Sequence, residues 1–282
     1  MKTANHSTKT CMKQHLTATM LATMALVSPP ALAGRTCETP QPPKVYTVKR
    51  ALTLAERTLK ALDSSGARVV VLTRAGQDLS QYGLRYSHLG LAYRQEDGEG
   101  GHVWRVLHKL NQCGTADSAL YRQGLGEFFL DDLWRFEAAW VVPTEPVQAK
   151  LLALLQDEPR ALQLHHQPYS MVSYAWGQKY QQSNQWAIET MSLALSPVMG
   201  NGWGTRKQAQ NWLHSQGYQP TSLHIGPLTR LGARVTAANV AFDDHPTEKR
   251  FSDRIETVTV DSVFDWLMQS GLGQTLVKLP PN

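Results

Sequence analysis

The sequence predicts an α+β fold, an antiparallel sheet packed with helices. Three observations carry this. A β-branched run, Val69-Val70-Val71-Leu72, follows a stretch of helical spacing at Leu52, Ala55, Leu59 and Leu62. Two strand-like stretches flank the polar glycine turn Glu96-Asp97-Gly98-Glu99-Gly100-Gly101, which reads as a hairpin. Helical and strand patterns then mix without a strict β-α-β repeat, which argues against a doubly wound sheet.

The N-terminal segment stands apart from that fold. Lys2, Lys9 and Lys13 precede a short apolar run at 16–27, and Ala31-Leu32-Ala33 is a small-residue cleavage pattern. Residues 1–33 are therefore expected to be a signal peptide, with export to the periplasm. The run falls short of the ~20 residues a membrane span needs, and no transmembrane segment is expected elsewhere. Cleavage after Ala33 leaves 249 of 282 residues and takes the formal charge from +5 to +2. No dense Lys/Arg run with interleaved aromatics occurs, so nucleic acid is a poor partner. Cys37 and Cys113 remain after cleavage, and in an oxidising compartment they are expected to pair. A reactive Cys113 thiol and an inert buried cysteine are the alternatives.

Residues 34–50, with Pro40, Pro42 and Pro43, read as an extended lead, and 51–282 as a single α+β domain. Thr53-Leu54-Ala55-Glu56 has the pattern of a capping box at a helix start, and Gly66 stops that helix. Strand 69–72 follows, then a loop at 76–83. Gly83-Leu84-Arg85-Tyr86-Ser87-His88-Leu89-Gly90-Leu91-Ala92-Tyr93 leads into the next strand. Residues 102–110 return as its partner. Residues 117–121 look like a short helix, 134–142 a strand ended by Pro143, and 144–155 a leucine-rich helix. Residues 157–181 look irregular, and 183–195 helical. Gly200-Asn201-Gly202-Trp203-Gly204 reads as a connecting turn, Thr205-Arg206-Lys207-Gln208 as a helix cap, and Gly217 as that helix's end. Strand-like runs follow near 221–225, 233–242 and 257–260, and Asp261 caps a last helix at 262–269.

The chemistry centres on His88. Histidine exchanges a proton near neutral pH, and a strand fixes its ring. Gly90, two residues on and on the same face, is expected to leave open space beside the ring. If residues 95 and 101 face each other across the hairpin, His88 faces His108, which can then orient the His88 ring as in catalytic triads. Asn111 is the alternative orienter. Ser183 is the candidate nucleophile, at a helix start where N–H groups can stabilise an oxyanion; the bland reading is a helix cap. Cys113 is the stronger intrinsic nucleophile and competes with the disulfide. Asp131-Asp132 beside Phe128-Phe129 reads as a helix-terminus charge pair or a site edge. His165, His166, His214, His224 and His245 match no zinc spacing, so neither a metal nor a cofactor is expected.

Gln77-Asp78-Leu79-Ser80-Gln81-Tyr82-Gly83-Leu84-Arg85-Tyr86-Ser87-His88, His108-Lys109-Leu110-Asn111-Gln112-Cys113-Gly114-Thr115, Phe128-Phe129-Leu130-Asp131-Asp132 and Tyr180-Gln181-Gln182-Ser183-Asn184-Gln185-Trp186 together resemble the exported bacterial family known as domain of unknown function 2145. That family carries no established activity. More distantly, Ser87-His88-Leu89-Gly90-Leu91 is similar to the histidine strand of circularly permuted NlpC/P60 papain-like proteins. These are cysteine amidases, peptidases and acyltransferases. The resemblance implies a histidine strand preceding the nucleophile helix, a polar orienter on the next strand at His108, and a nucleophile near Ser183. This sequence holds Ser-Asn-Gln there, with no cysteine. The expectation is a periplasmic hydrolase or acyl/amide-transfer enzyme acting on cell-wall peptide amides or acyl esters. Its rival is a non-catalytic envelope protein that holds a peptide, glycan or lipid in the same groove.

Overall fold

The structure is a computed structural model that describes residues 42–199 and 203–281. The expected signal peptide, Cys37 and most of the glycine turn at 200–204 lie outside these residues.

The first helix, α1 (Val45–Ser65), starts within the expected extended lead. It buries Ala51, Leu54, Ala55, Thr58 and Leu62, one face at helical spacing. Thr53 therefore lies inside the helix, and its hydroxyl bonds back to the Lys49 carbonyl at 2.8 Å instead of capping a start. Gly66 ends α1 in the left-handed conformation, at φ 68°. Strand β1 (Val69–Ala75) is buried along its whole length, as its β-branched run implies. Strands β2 (His88–Glu96) and β3 (His102–Asn111) form the expected hairpin.

The expected helix at 117–121 is instead strand β4 (Ser118–Gly124), paired antiparallel with β3. The loop at 112–117 brings the chain back along a free strand edge, and edge pairing overrides a short segment's local preference. Helix α2 (Leu125–Phe129), strand β5 (Arg135–Pro143), helices α3 (Glu145–Gln156) and α4 (Glu158–Leu162), and the buried helix α5 (Ser183–Leu195) follow. Helix α6 (Arg206–Ser215) carries the expected Thr205 capping box. Strand β6 (Thr221–His224) precedes α7 (Pro227–Thr236), which takes up residues 233–236 of the strand expected at 233–242, and the rest of that stretch is irregular. Pro227 sits in the first turn, where its missing N–H costs nothing. Helix α8 (Thr247–Phe251), strand β7 (Arg254–Thr257), helix α9 (Val260–Gln269) and strand β8 (Gly273–Leu279) complete the chain. The cap of α9 is Thr259, two residues before Asp261.

The main sheet has the order β4-β3-β2-β1-β5-β8, and every described pairing in it is antiparallel. The α+β expectation thus stands at that level. One sheet face packs on α1 and α2 through Val70, Leu72, Ala92, Val106 and Trp140. The other packs on α3, α5 and α9 through Val69, Val71, Leu89, Leu91 and Leu107. Strands β6 and β7 pair separately and build a small cluster from Leu223, Ile225, Val240, Phe242 and Ile255.

Candidate functional site

The hairpin register sets the histidines. Leu91 faces Leu107 and Gln95 faces Val103, so the pairing lies two residues from the one expected. An even shift preserves the face, and His88 and His108 still meet. They do so diagonally: continuing the β2–β3 register puts Gly90, not His88, opposite His108. Gly90 is what lets the ring reach across. A Cβ there would lie 2.6 Å from Val106 Cγ1 and 3.1 Å from His108 Cβ. The space beside His88 is therefore filled by β3 side chains, which corrects the expected open space for a substrate.

His88 Nε2 lies 2.8 Å from His108 Nδ1, and His108 Nε2 lies 2.8 Å from Gln123 Oε1. The Gln123 oxygen accepts, so His108 carries its proton on Nε2 and presents Nδ1 as an acceptor. His88 then donates from Nε2, which assigns proton uptake to its Nδ1. Burial and the nearby Arg74 guanidinium push the His108 pKa down to about 3, and the Gln123 bond opposes them only in part. His108 is thus neutral at ordinary pH. It is an acceptor that stabilises positive charge on His88 without competing for the proton.

Arg74 faces His88 across β1 and β2. It stacks over Phe128, donates to the Phe128 carbonyl and pairs with Asp131. Asp131 is therefore a site edge, anchoring the end of α2 to the sheet. Phe128 packs 6.0 Å from the His88 ring and 5.2 Å from that of His108, between centroids. Asn111 plays no orienting part for His88: its amide bonds the Thr115 and Asp117 carbonyls and holds the loop before β4.

Ser183 opens α5, which packs on the sheet face opposite to Phe128. The two faces meet at the end of the sheet. There a cavity of about 580 Å³ is lined by His88, Arg74, Ser183, Asn184, Tyr169 and residues of the β6–β7 cluster. Asn184 ties the helix start to the histidine strand: its Oδ1 accepts from the Leu89 N–H at 3.0 Å, and its Nδ2 donates to the Ser87 carbonyl at 3.3 Å. Gln182 caps α5 by accepting from the Asn184 N–H at 2.8 Å. The cap is thus Gln182, not Ser183. The Tyr169 phenol is buried beside Ser183 on the cavity wall, and burial raises its pKa.

Cys113 lines the same cavity. Its sulfur is engaged and is not a free thiol, which removes it as a thiolate nucleophile. Cys11 and Cys37 lie outside the described residues, and so does the expected bridge.

Behind α5, Glu189 accepts from Arg206 Nε at 2.8 Å and Nη2 at 3.1 Å, from Gln181 Nε2 at 2.6 Å and from Gln210 Nε2 at 2.7 Å. Arg206 also donates to the carbonyls of Gly177, Gln178 and Tyr180. This buried clamp fixes the irregular segment that leads into Ser183. Lys109, whose pKa burial lowers to about 6, joins it through Gln181 Oε1 at 2.7 Å.

Sequence reasoning missed Arg74, Gln123, Tyr169 and Asn184. A charge closing an apolar strand at Arg74 was the one available signal. The other three are ordinary residue types whose roles come only from distant partners.

Among the described residues no helix is long and apolar enough to cross a membrane. No curated protein and no solved structure matches the chain. A family model described as an uncharacterized protein conserved in bacteria (DUF2145) matches residues 61–267, spanning β1 to α9 and every residue of the site, and the chain belongs to that family.

Proposed function

We propose that this protein is an exported hydrolase or acyl/amide-transfer enzyme of permuted papain-like, NlpC/P60-type build, acting on cell-envelope amides or esters. The observation that carries the reading is the buried chain His88–His108–Gln123 ending at a cavity. Such a chain fixes both the tautomer and the ring of a general base. A buried helix starting beside the histidine strand supports the build. The engaged Cys113 sulfur supports export, with Cys37 as its proposed partner.

In the proposed reaction the Ser183 oxygen attacks the carbonyl carbon while its proton passes to His88 Nδ1. The protonated His88 then gives that proton to the departing amine or alcohol. Water or an acceptor takes the acyl group from Ser183 by the same route in reverse. His88 sits on one sheet face and Ser183 begins the helix on the other, so the substrate carbonyl must bind at the sheet's end.

That separation motivates the second reading, a non-catalytic binding protein. The Asn184 N–H at the helix start is already capped by Gln182 and so is not open to an oxyanion. A fluorophosphonate probe together with a panel of acyl esters and peptide amides separates the two. Enzymatic function predicts turnover and a covalent adduct on Ser183, both lost in Ser183→Ala. Turnover that survives Ser183→Ala would remove the serine mechanism, and no turnover at all would favour binding.

A further inference from the structure

Helix α7 is inverted with respect to its surroundings. Its small side chains face inward: Ala233, with Ala237 just beyond the helix end, packs against the β6–β7 cluster, and Thr229 and Ala233 line the cavity. Its large apolar side chains face outward. Leu228, Leu231 and Val235 are 84%, 64% and 79% exposed. Their spacing of three and four residues makes one continuous stripe, roughly opposite the Ala233 side. An ordinary surface helix buries such a stripe.

The charges on α7 itself are of one sign. Helix α7 carries Arg230 and Arg234 and no acid. Arg230 turns inward to Asp253 and the Ile225 carbonyl. That contact brings α7 against the turn after α8, where Phe251 is 71% exposed beside Arg250. Of the nearby acids, Asp253 pairs with Arg230 and Glu256 with Lys249, which leaves Glu248 in the first turn of α8. Among the described residues no carboxylate partner faces Arg234, Arg250 or Arg254.

We infer that the outward face of α7, with Phe251, docks on an anionic lipid membrane surface. An exposed apolar stripe bordered by unneutralised arginines matches a headgroup layer over acyl chains, whereas a neutral protein partner would leave the arginines unmatched. Docking there sets α7 between the bilayer and the His88 cavity, because Thr229 and Ala233 on its inner side line that cavity. The inference stands whether or not the site is catalytic.

The test is co-sedimentation of the full chain with vesicles of phosphatidylglycerol and phosphatidylethanolamine, and with vesicles of phosphatidylcholine alone. Leu231→Glu and Arg234→Glu variants are compared in the same background, so any contribution from residues 16–27 cancels. Both side chains are exposed, and circular dichroism checks that the variants fold. Binding to the anionic vesicles is expected to fall about tenfold or more with Leu231→Glu, and to weaken with Arg234→Glu or added salt. Equal binding by the wild type and Leu231→Glu would overturn the inference. So would a concentration-dependent dimer abolished by Leu231→Glu without vesicle binding, since the stripe would then be a self-association surface.

Discussion

His88→Ala is expected to lower turnover of any ester or amide the protein cleaves by about 10²–10⁴-fold, the usual contribution of a positioned general base. The loss should fall on kcat, because the ring lies at the cavity's edge among His108, Phe128 and Arg74 and is not a principal binding wall. The sheet should survive the change, since β2 is held by backbone pairing to β1 and β3 and by Asn184 at Leu89. His108→Leu supplies the companion readout. It leaves His88 chemically intact but removes its acceptor, so activity should fall less and its pH profile should shift. Full activity in His88→Ala, at unchanged thermal stability, would sink the catalytic assignment.

Glu189→Ala is expected to cost about 3–5 kcal/mol, read as a shift in the denaturant midpoint. Glu189 is 1% exposed at its side chain and accepts from Arg206, Gln181 and Gln210 at once. Truncating it leaves the Arg206 charge buried without its counter-ion and takes one of two acceptors from each of the Gln181 and Gln210 amides, which keep the Leu164 and Gly177 carbonyls. That is a large share of the 5–15 kcal/mol that holds a typical domain together. Replacing both partners by apolar residues, as in Glu189→Leu with Arg206→Met, should cost much less, because no charge is then stranded. The single variant should also loosen residues 177–182, which Arg206 holds through three carbonyls. A Glu189→Ala protein as stable as the wild type would show that the clamp is not a buried ion pair in solution.

The parts of this fold that the sequence made legible are those set by local pattern. The β-branched run of β1, the glycine turn between β2 and β3, and the capping box at Thr205 each state their structure within a few residues. The misread segments depend on distant partners. Residues 118–124 become a strand because β3 offers an edge, and residues 233–236, expected as strand, end a helix that buries no residue. The site divides in the same way. His88 and His108 were paired correctly because a register error of two keeps the face. Gly90 was misjudged because its neighbour across the hairpin, and not its own strand, decides what fills the space. Gln123 carried no local mark, since it acts through a hydrogen bond to another strand.

The central claim is that a neutral His108 holds His88 in one tautomer. Its pKa gives the claim a pH signature. In the folded protein His108 ionises near 3, against 6.5 in an ordinary setting. Between those values the unfolded chain binds the extra proton, so stability is whole above about pH 6.5 and drains away as pH falls toward about 3. Long-range ¹H–¹⁵N correlation spectra of the imidazoles, recorded from pH 8 to pH 4, test this most directly. The account predicts that His108 stays neutral throughout with its proton on Nε2, and that His88 in its neutral form also carries its proton on Nε2. A His108 that titrates near 6.5, or that carries its proton on Nδ1, would contradict it.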